Sequence, residues 1–187
     1  MLKQTSNWLH RVTNGWTTLV ALVVFFAFTA IVLPRQAAKA ESQTGTSASP
    51  DTSFVYSVDD LYQMAEVYGE QGRSDYVRAR FTFDLIWPII YTLFLVTAIS
   101  WLAAKIFDPS SPWMLVNLAP ILGMIFDYLE NISASLVMWR YPTPIPAAAF
   151  LAPAFTFLKW AFLACSFLFL VIEISGWLWQ WGKGRRG

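Results

Sequence analysis

Apolar positions in this chain fall into four long runs, 16–34, 85–104, 113–139 and 147–181, separated by short polar punctuation. Within the runs the apolar residues are nearly continuous, the pattern of helices surrounded by lipid, and each run approaches or exceeds the ~20 residues that a crossing needs. Lys105, Asp108, Pro109 and Pro112 mark a turn between the second and third runs, and Pro142, Pro144 and Pro146 mark another between the third and fourth. Over 35–55 the composition shifts to Ala, Ser, Thr, Gln and Gly without hydrophobic periodicity, which predicts a flexible linker. From 56 to 69 the pattern changes again. Ser57 followed by Asp60 resembles a capping box, and Val58, Leu61, Tyr62, Ala65 and Tyr68 recur at helical spacing opposite Asp59, Asp60 and Glu66. This predicts a short amphipathic helix that either lies on a membrane surface or caps the other helices.

With 56% hydrophobic and only 13% charged residues in 187, the composition fits membrane residence. The fold class expected is all-α: a polytopic four-transmembrane-helix bundle with one short extracytoplasmic amphipathic helix. It divides into a cytoplasmic N-terminal segment 1–15, a first transmembrane helix 16–34, the linker 35–55, a three-helix membrane core with the amphipathic helix over 56–181, and a basic tail 182–187. The first run follows Lys3, His10 and Arg11, as both signal anchors and secretory signal peptides do, and Ala38-Lys39-Ala40 has the form of a cleavage site. Its length exceeds a usual signal-peptide core and favours a retained helix. A net charge of +1 offers no footprint for nucleic acid. One histidine and one cysteine, Cys165, supply no ligand set, so neither a metal nor a cofactor is expected.

Orientation follows from basic residues in short flanks. Lys3, Arg11, Lys105, Lys183, Arg185 and Arg186 share one side; Arg35, Lys39, Arg73, Arg78, Arg80 and Arg140 share the other, but all except Arg140 sit in a long loop that is net negative. Both termini are therefore expected in the cytoplasm, in a bacterial-type plasma (inner) membrane, with Trp16, Trp101, Trp113, Trp177, Trp179 and Trp181 as an inner aromatic belt.

Ionisable groups inside a crossing cost ~2.5–3.5 kcal/mol each, so they tend to face protein and find partners. Asp127, Glu130 and Asn131 are spaced i, i+3, i+4 and share one helix face. Asp127 and Lys159 are equidistant from Thr143 at the turn, so in an antiparallel pair they share a depth, ~20 Å below the outer ends. The same register puts Glu130 near Thr156. Asp84 near the outer end of the second run, with Tyr91 two turns deeper, completes an outward funnel. Asp127, Glu130 and Lys159 are the candidate catalytic residues, and Asp84, Tyr91, Asn131 and Thr156 the candidate ligand-binding residues. A second reading makes the same residues a structural network that fixes helix packing. Glu173 is expected to reach the inner interface.

The combination of Gly72-Arg73, Tyr76, Asp84 with Pro88 and Tyr91, Asp127-Tyr-Leu-Glu130-Asn131, and Thr156 with Lys159-Trp160 resembles a family of bacterial four-helix integral membrane proteins with no assigned activity. It covers roughly 56–181. The resemblance implies an architecture and highlights these residues without implying a reaction.

Three functions remain open at this point. The pocket binds or processes a lipid or other amphiphile, with Asp127 and Glu130 as acid/base or head-group ligands and Lys159 as their charge partner. Alternatively the chain is a proton- or cation-coupled transporter, or a structural or accessory subunit. The partners expected are membrane lipids, a lipid-like ligand, and a second copy or larger membrane complex.

Overall fold

The computed structural model describes residues 1–184; Arg185 and Arg186, counted in the basic tail, lie outside the described residues. Among those described, all regular structure is helical: α1 (Leu2–Val12), α2 (Gly15–Ala27), α3 (Leu33–Thr44), α4 (Val58–Val67), α5 (Gly69–Arg80), α6 (Phe83–Ile106), α7 (Ala119–Arg140) and α8 (Pro146–Gly184). Four helical stretches are long and apolar enough to cross a membrane: Gly15–Thr44, Gly69–Ile106, Pro112–Arg140 and Pro146–Lys183.

The first of these stretches runs further than the apolar run. Leu33–Thr44, in the stretch read as linker, is helical because Ala37, Ala38, Lys39, Ala40 and Glu41 are strong helix formers despite lacking an apolar stripe. Pro34 cannot donate to the carbonyl four residues back, and a π-helical segment, Phe28–Val32, sits where that bond would be. Gly45, at φ 72, ends the helix in the left-handed conformation that glycine adopts without strain.

The chain forms two compact units. One comprises Met1–Phe25, Ile90–Gly123 and the described residues from Ala161. Here α1, which the sequence did not reveal, is held by a polar network around Ser6, His10 and Asn117. Ser6 Oγ lies 2.8 Å from Asn117 Oδ1 and 2.9 Å from the Met114 carbonyl. The two His10 ring nitrogens lie 2.9 Å from the Ser100 and Met114 carbonyl oxygens. Asn117 Nδ2 donates to Ser100 Oγ at 3.0 Å. Asn14 then caps α2 by accepting from the Trp16 and Thr17 amides. Against α6, Gly15 fits close to the Trp101 ring, Thr18 Oγ1 donates to the Thr97 carbonyl at 3.2 Å, and Phe25 stacks on Phe94. Glu173 is fully buried in this unit.

The other unit comprises Phe26–Ile89 and Met124–Trp160. Its core joins Leu61 and Ala65 of α4, Tyr68, and Tyr76 of α5 to Ala134, Val137 and Met138 of α7 and Ala148, Ala149 and Ala152 of α8. The small alanines let the helices approach closely. The cap expected at Ser57 is formed in full. The Asp60 amide donates to Ser57 Oγ, and Asp60 accepts from the Ser57 amide and hydroxyl. Those hydrogen bonds, the backbone one first, hold the Asp60 carboxyl below its ordinary 3.8. Because Leu61 and Ala65 are completely covered, α4 packs as a cap on this core rather than resting its apolar face on lipid. The helix breaks between α4 and α5 at Gly69, whose φ of 62 needs glycine. One turn on, Gly72 brings α5 against α3: a Cβ there would lie 3.0 Å from the Gln43 carbonyl oxygen.

Candidate functional site

The second unit buries five charged side chains in one connected set. Asp127, Glu130 and Asn131 come from one face of α7, as the spacing predicts, and Lys159 comes from α8. Lys159 Nζ lies 2.7 Å from Glu130 Oε2 and 3.8 Å from Asp127 Oδ1. The shared depth of Asp127 and Lys159 is therefore present, but Glu130 is the nearer partner. Side chains on a helix lean toward its N-terminus, so the Lys159 ammonium reaches one turn up α8, to the level of Glu130. Asn131 Nδ2 donates to Asp127 Oδ1 at 3.4 Å, and Arg80 Nη1 donates to Asn131 Oδ1 at 3.5 Å. Arg80 Nε closes the chain on Asp84 Oδ2 at 3.0 Å.

Aromatic and hydroxyl groups complete the surroundings. The Arg80 guanidinium lies over the Tyr76 ring, 4.6 Å from its centroid, and the Lys159 ammonium lies 5.2 Å from the centroid of a Trp160 ring. Trp160 Nε1 donates to the Ser53 carbonyl. Thr156 Oγ1 donates to the Ala152 carbonyl and lies 3.2 Å from the Tyr56 hydroxyl. Thr156 thus joins Tyr56, while Glu130 near it faces Lys159. Tyr91, expected along the same wall, belongs to the other unit and is buried there.

The side chains of the ion pairs are only 1–8% exposed. Asp84, Asp127 and Glu130 stand against Arg80 and Lys159. Carboxylates around a buried ammonium can act as acid and base. Beside the Arg80 and Asp84 end of the set lies a cleft of about 400 Å³, within the size range of small-molecule sites. Its walls come from α3, the turn after it, α5 and the start of α6, and include Leu33, Ala37, Thr44, Tyr68, Tyr76, Arg80 and Asp84.

Sequence reasoning missed Arg80, which was counted among loop charges, and Tyr56; Tyr76 entered only through the resemblance. A signal existed: Tyr76, Arg80 and Asp84 follow one another at four-residue spacing, the stripe that a continuing helix would place on one face. No family model, curated protein or solved structure matches the chain, so the site is interpreted from its geometry alone.

Proposed function

We propose that this is an integral membrane protein of a bacterial-type inner membrane that binds or processes a lipid or other amphiphile in an outward-facing polar pocket. Both termini then lie in the cytoplasm, and α4 lies on the extracytoplasmic side. The observation that carries the proposal is the cleft ending on Arg80 and Asp84, the first members of a buried charged chain that leads to Asn131, Asp127, Lys159 and Glu130. Its lining mixes apolar positions such as Leu33 and Phe83 with hydroxyls and both signs of charge, which suits a head group joined to a short length of hydrocarbon. Arg80 and Asp84 would orient the head group. Asp127 and Glu130, with Lys159 as their charge partner, would supply a proton relay behind it or a counter-charge for it.

The test is to purify the protein in mild detergent and identify co-purifying small molecules by mass spectrometry, in wild type, Lys159→Met and Ala79→Trp. Ala79 lines the cleft, and a tryptophan there takes up its space while leaving Arg80 and Asp84 unchanged in the sequence. A discrete amphiphile present in wild type and lost in Ala79→Trp is expected. If all forms carry the same bulk lipid while Lys159→Met loses only stability, the charged set is a packing network and the proposal fails.

A further inference from the structure

The polar cleft of the second unit has an internal order that its size alone does not convey. Its two long walls, α3 and α5, run antiparallel. Gly72, near the start of α5, lies against Gln43 and Thr44 at the end of α3, while Phe83 at the start of α6 stacks on Phe28, just before α3. Positions that ascend along α3 therefore face positions that descend along α5.

From the end nearest the apolar runs, both walls show the same succession of chemistry. Leu33 on one side and Phe83 on the other come first. Cations follow, Lys39 on α3 and then Arg80 and Arg78 on α5. Carboxylates come last, Glu41 on α3 and Asp75 on α5. Asp84 alone departs from this order, and its carboxylate is already held by Arg80 at 3.0 Å. Among the described residues Lys39, Glu41 and Arg78 form no ion pair, and Asp75 accepts a hydrogen bond from Gln71. The step from cation to carboxylate is two residues on α3 and three to five on α5, or ~3–8 Å at 1.5 Å per residue.

A ligand complementary to this succession has hydrocarbon, then a negative charge, then a positive charge a few ångströms further out. We propose that the occupant is a phospholipid whose phosphate carries a primary ammonium on a two-carbon arm, of the phosphatidylethanolamine type. The start of its acyl chain lies beside Leu33 and Phe83, its phosphate among Lys39, Arg78 and Arg80, and its ammonium at Glu41 and Asp75. This rests on the amphiphile site proposed above and specifies the head group that it takes. An anionic head group meets only repulsion from the outer carboxylates, and a choline nitrogen has no N–H to give them.

The experiment is native mass spectrometry of detergent-purified, delipidated protein titrated separately with phosphatidylethanolamine, phosphatidylglycerol, phosphatidylcholine and the water-soluble O-phosphoethanolamine. Wild type is expected to retain phosphatidylethanolamine about fivefold better than the other two lipids, the factor that one exposed ion pair supplies at its strongest. Ala79→Trp should lose it. The double variant Glu41→Gln/Asp75→Asn, which removes only the outer carboxylates, should bind the lipid without that preference. Equal retention of the three lipids, or a preference for another that Ala79→Trp abolishes, overturns the head-group proposal and leaves the amphiphile site standing. So does a preference unchanged in the double variant. O-phosphoethanolamine held as tightly as the lipid overturns a lipid source. If Ala79→Trp changes the retention of no lipid, the amphiphile site itself fails and this proposal with it. Glu41 is exposed and Asp75 partly so, which keeps the test decisive through the double variant if Ala79→Trp does not fold.

Discussion

Ser6, His10, Ser100 and Asn117 in one unit, and Arg80, Asp84, Asp127, Glu130 and Lys159 in the other, are both polar sets that tie helices together, but they differ in where they lead. The first closes on itself: Asn117 accepts from Ser6 and donates to Ser100, and His10 sits between two backbone carbonyls. The second is built of carboxylates and cations and runs to the wall of a cleft. Burying ionic side chains costs more desolvation than burying hydroxyls and amides. The contrast is what separates a candidate site from a helix fastening in the same chain.

The largest effect expected on that contrast comes from Lys159→Met. It leaves Glu130 and Asp127 buried without their nearest cation, which should cost about 3–5 kcal/mol and lower Tm on the order of 10 °C in a detergent melting assay. Adding Glu130→Gln should recover part of the loss; no recovery would mean that the two side chains do not act as a pair.

Gly72→Val comes next. A side chain 3.0 Å from the Gln43 carbonyl must push α3 off α5, at about 3 kcal/mol, and because both helices wall the cleft it should also abolish any co-purifying amphiphile. Asn117→Ala should cost about 2 kcal/mol yet leave that amphiphile in place, since only the set around Ser6 and His10 is broken. An Asn117→Ala protein that lost the ligand would erase the distinction between the two regions.

The smallest effect belongs to the α4 cap. Ser57→Ala should cost ~1 kcal/mol and loosen 58–67 in hydrogen exchange before anything else changes. The cap is also pH-dependent. The Asp60 carboxyl is held below its ordinary 3.8, so its contribution is present above that pH and is lost as pH falls through the lowered value. Exchange of 58–67 should therefore rise in wild type below about pH 4, and the Ser57→Ala protein should show less of that rise.

The parts of this molecule written in local spacing were legible. Four continuous apolar runs appear as long apolar helices, the Ser57–Asp60 pair forms its cap, and the common depth of Asp127 and Lys159 followed from counting outward from the turn. Features that depend on what lies across a helix interface were not. Helix α3 was missed because Ala37 to Glu41 favour helix by propensity and carry no apolar stripe. Arg80 was taken for a loop charge: its four-residue spacing from Tyr76 and Asp84 marks a shared helix face, but the burial of that face depends on residues distant in sequence. Glu173 was expected to reach the inner interface, but the side chains packed around it, which its own run does not show, bury it completely. The α1 network joins residues about a hundred positions apart, beyond any local pattern.

The most direct measurement is photo-crosslinking in native membranes, with p-benzoylphenylalanine placed at Ala79 in the cleft or at the exposed Phe150 of α8, followed by mass spectrometry of the adducts. The account predicts a discrete amphiphile adduct at position 79 that differs from the heterogeneous bulk-lipid adducts at position 150. The same bulk-lipid adducts at both positions, or none at position 79, would contradict a binding pocket at Arg80 and Asp84.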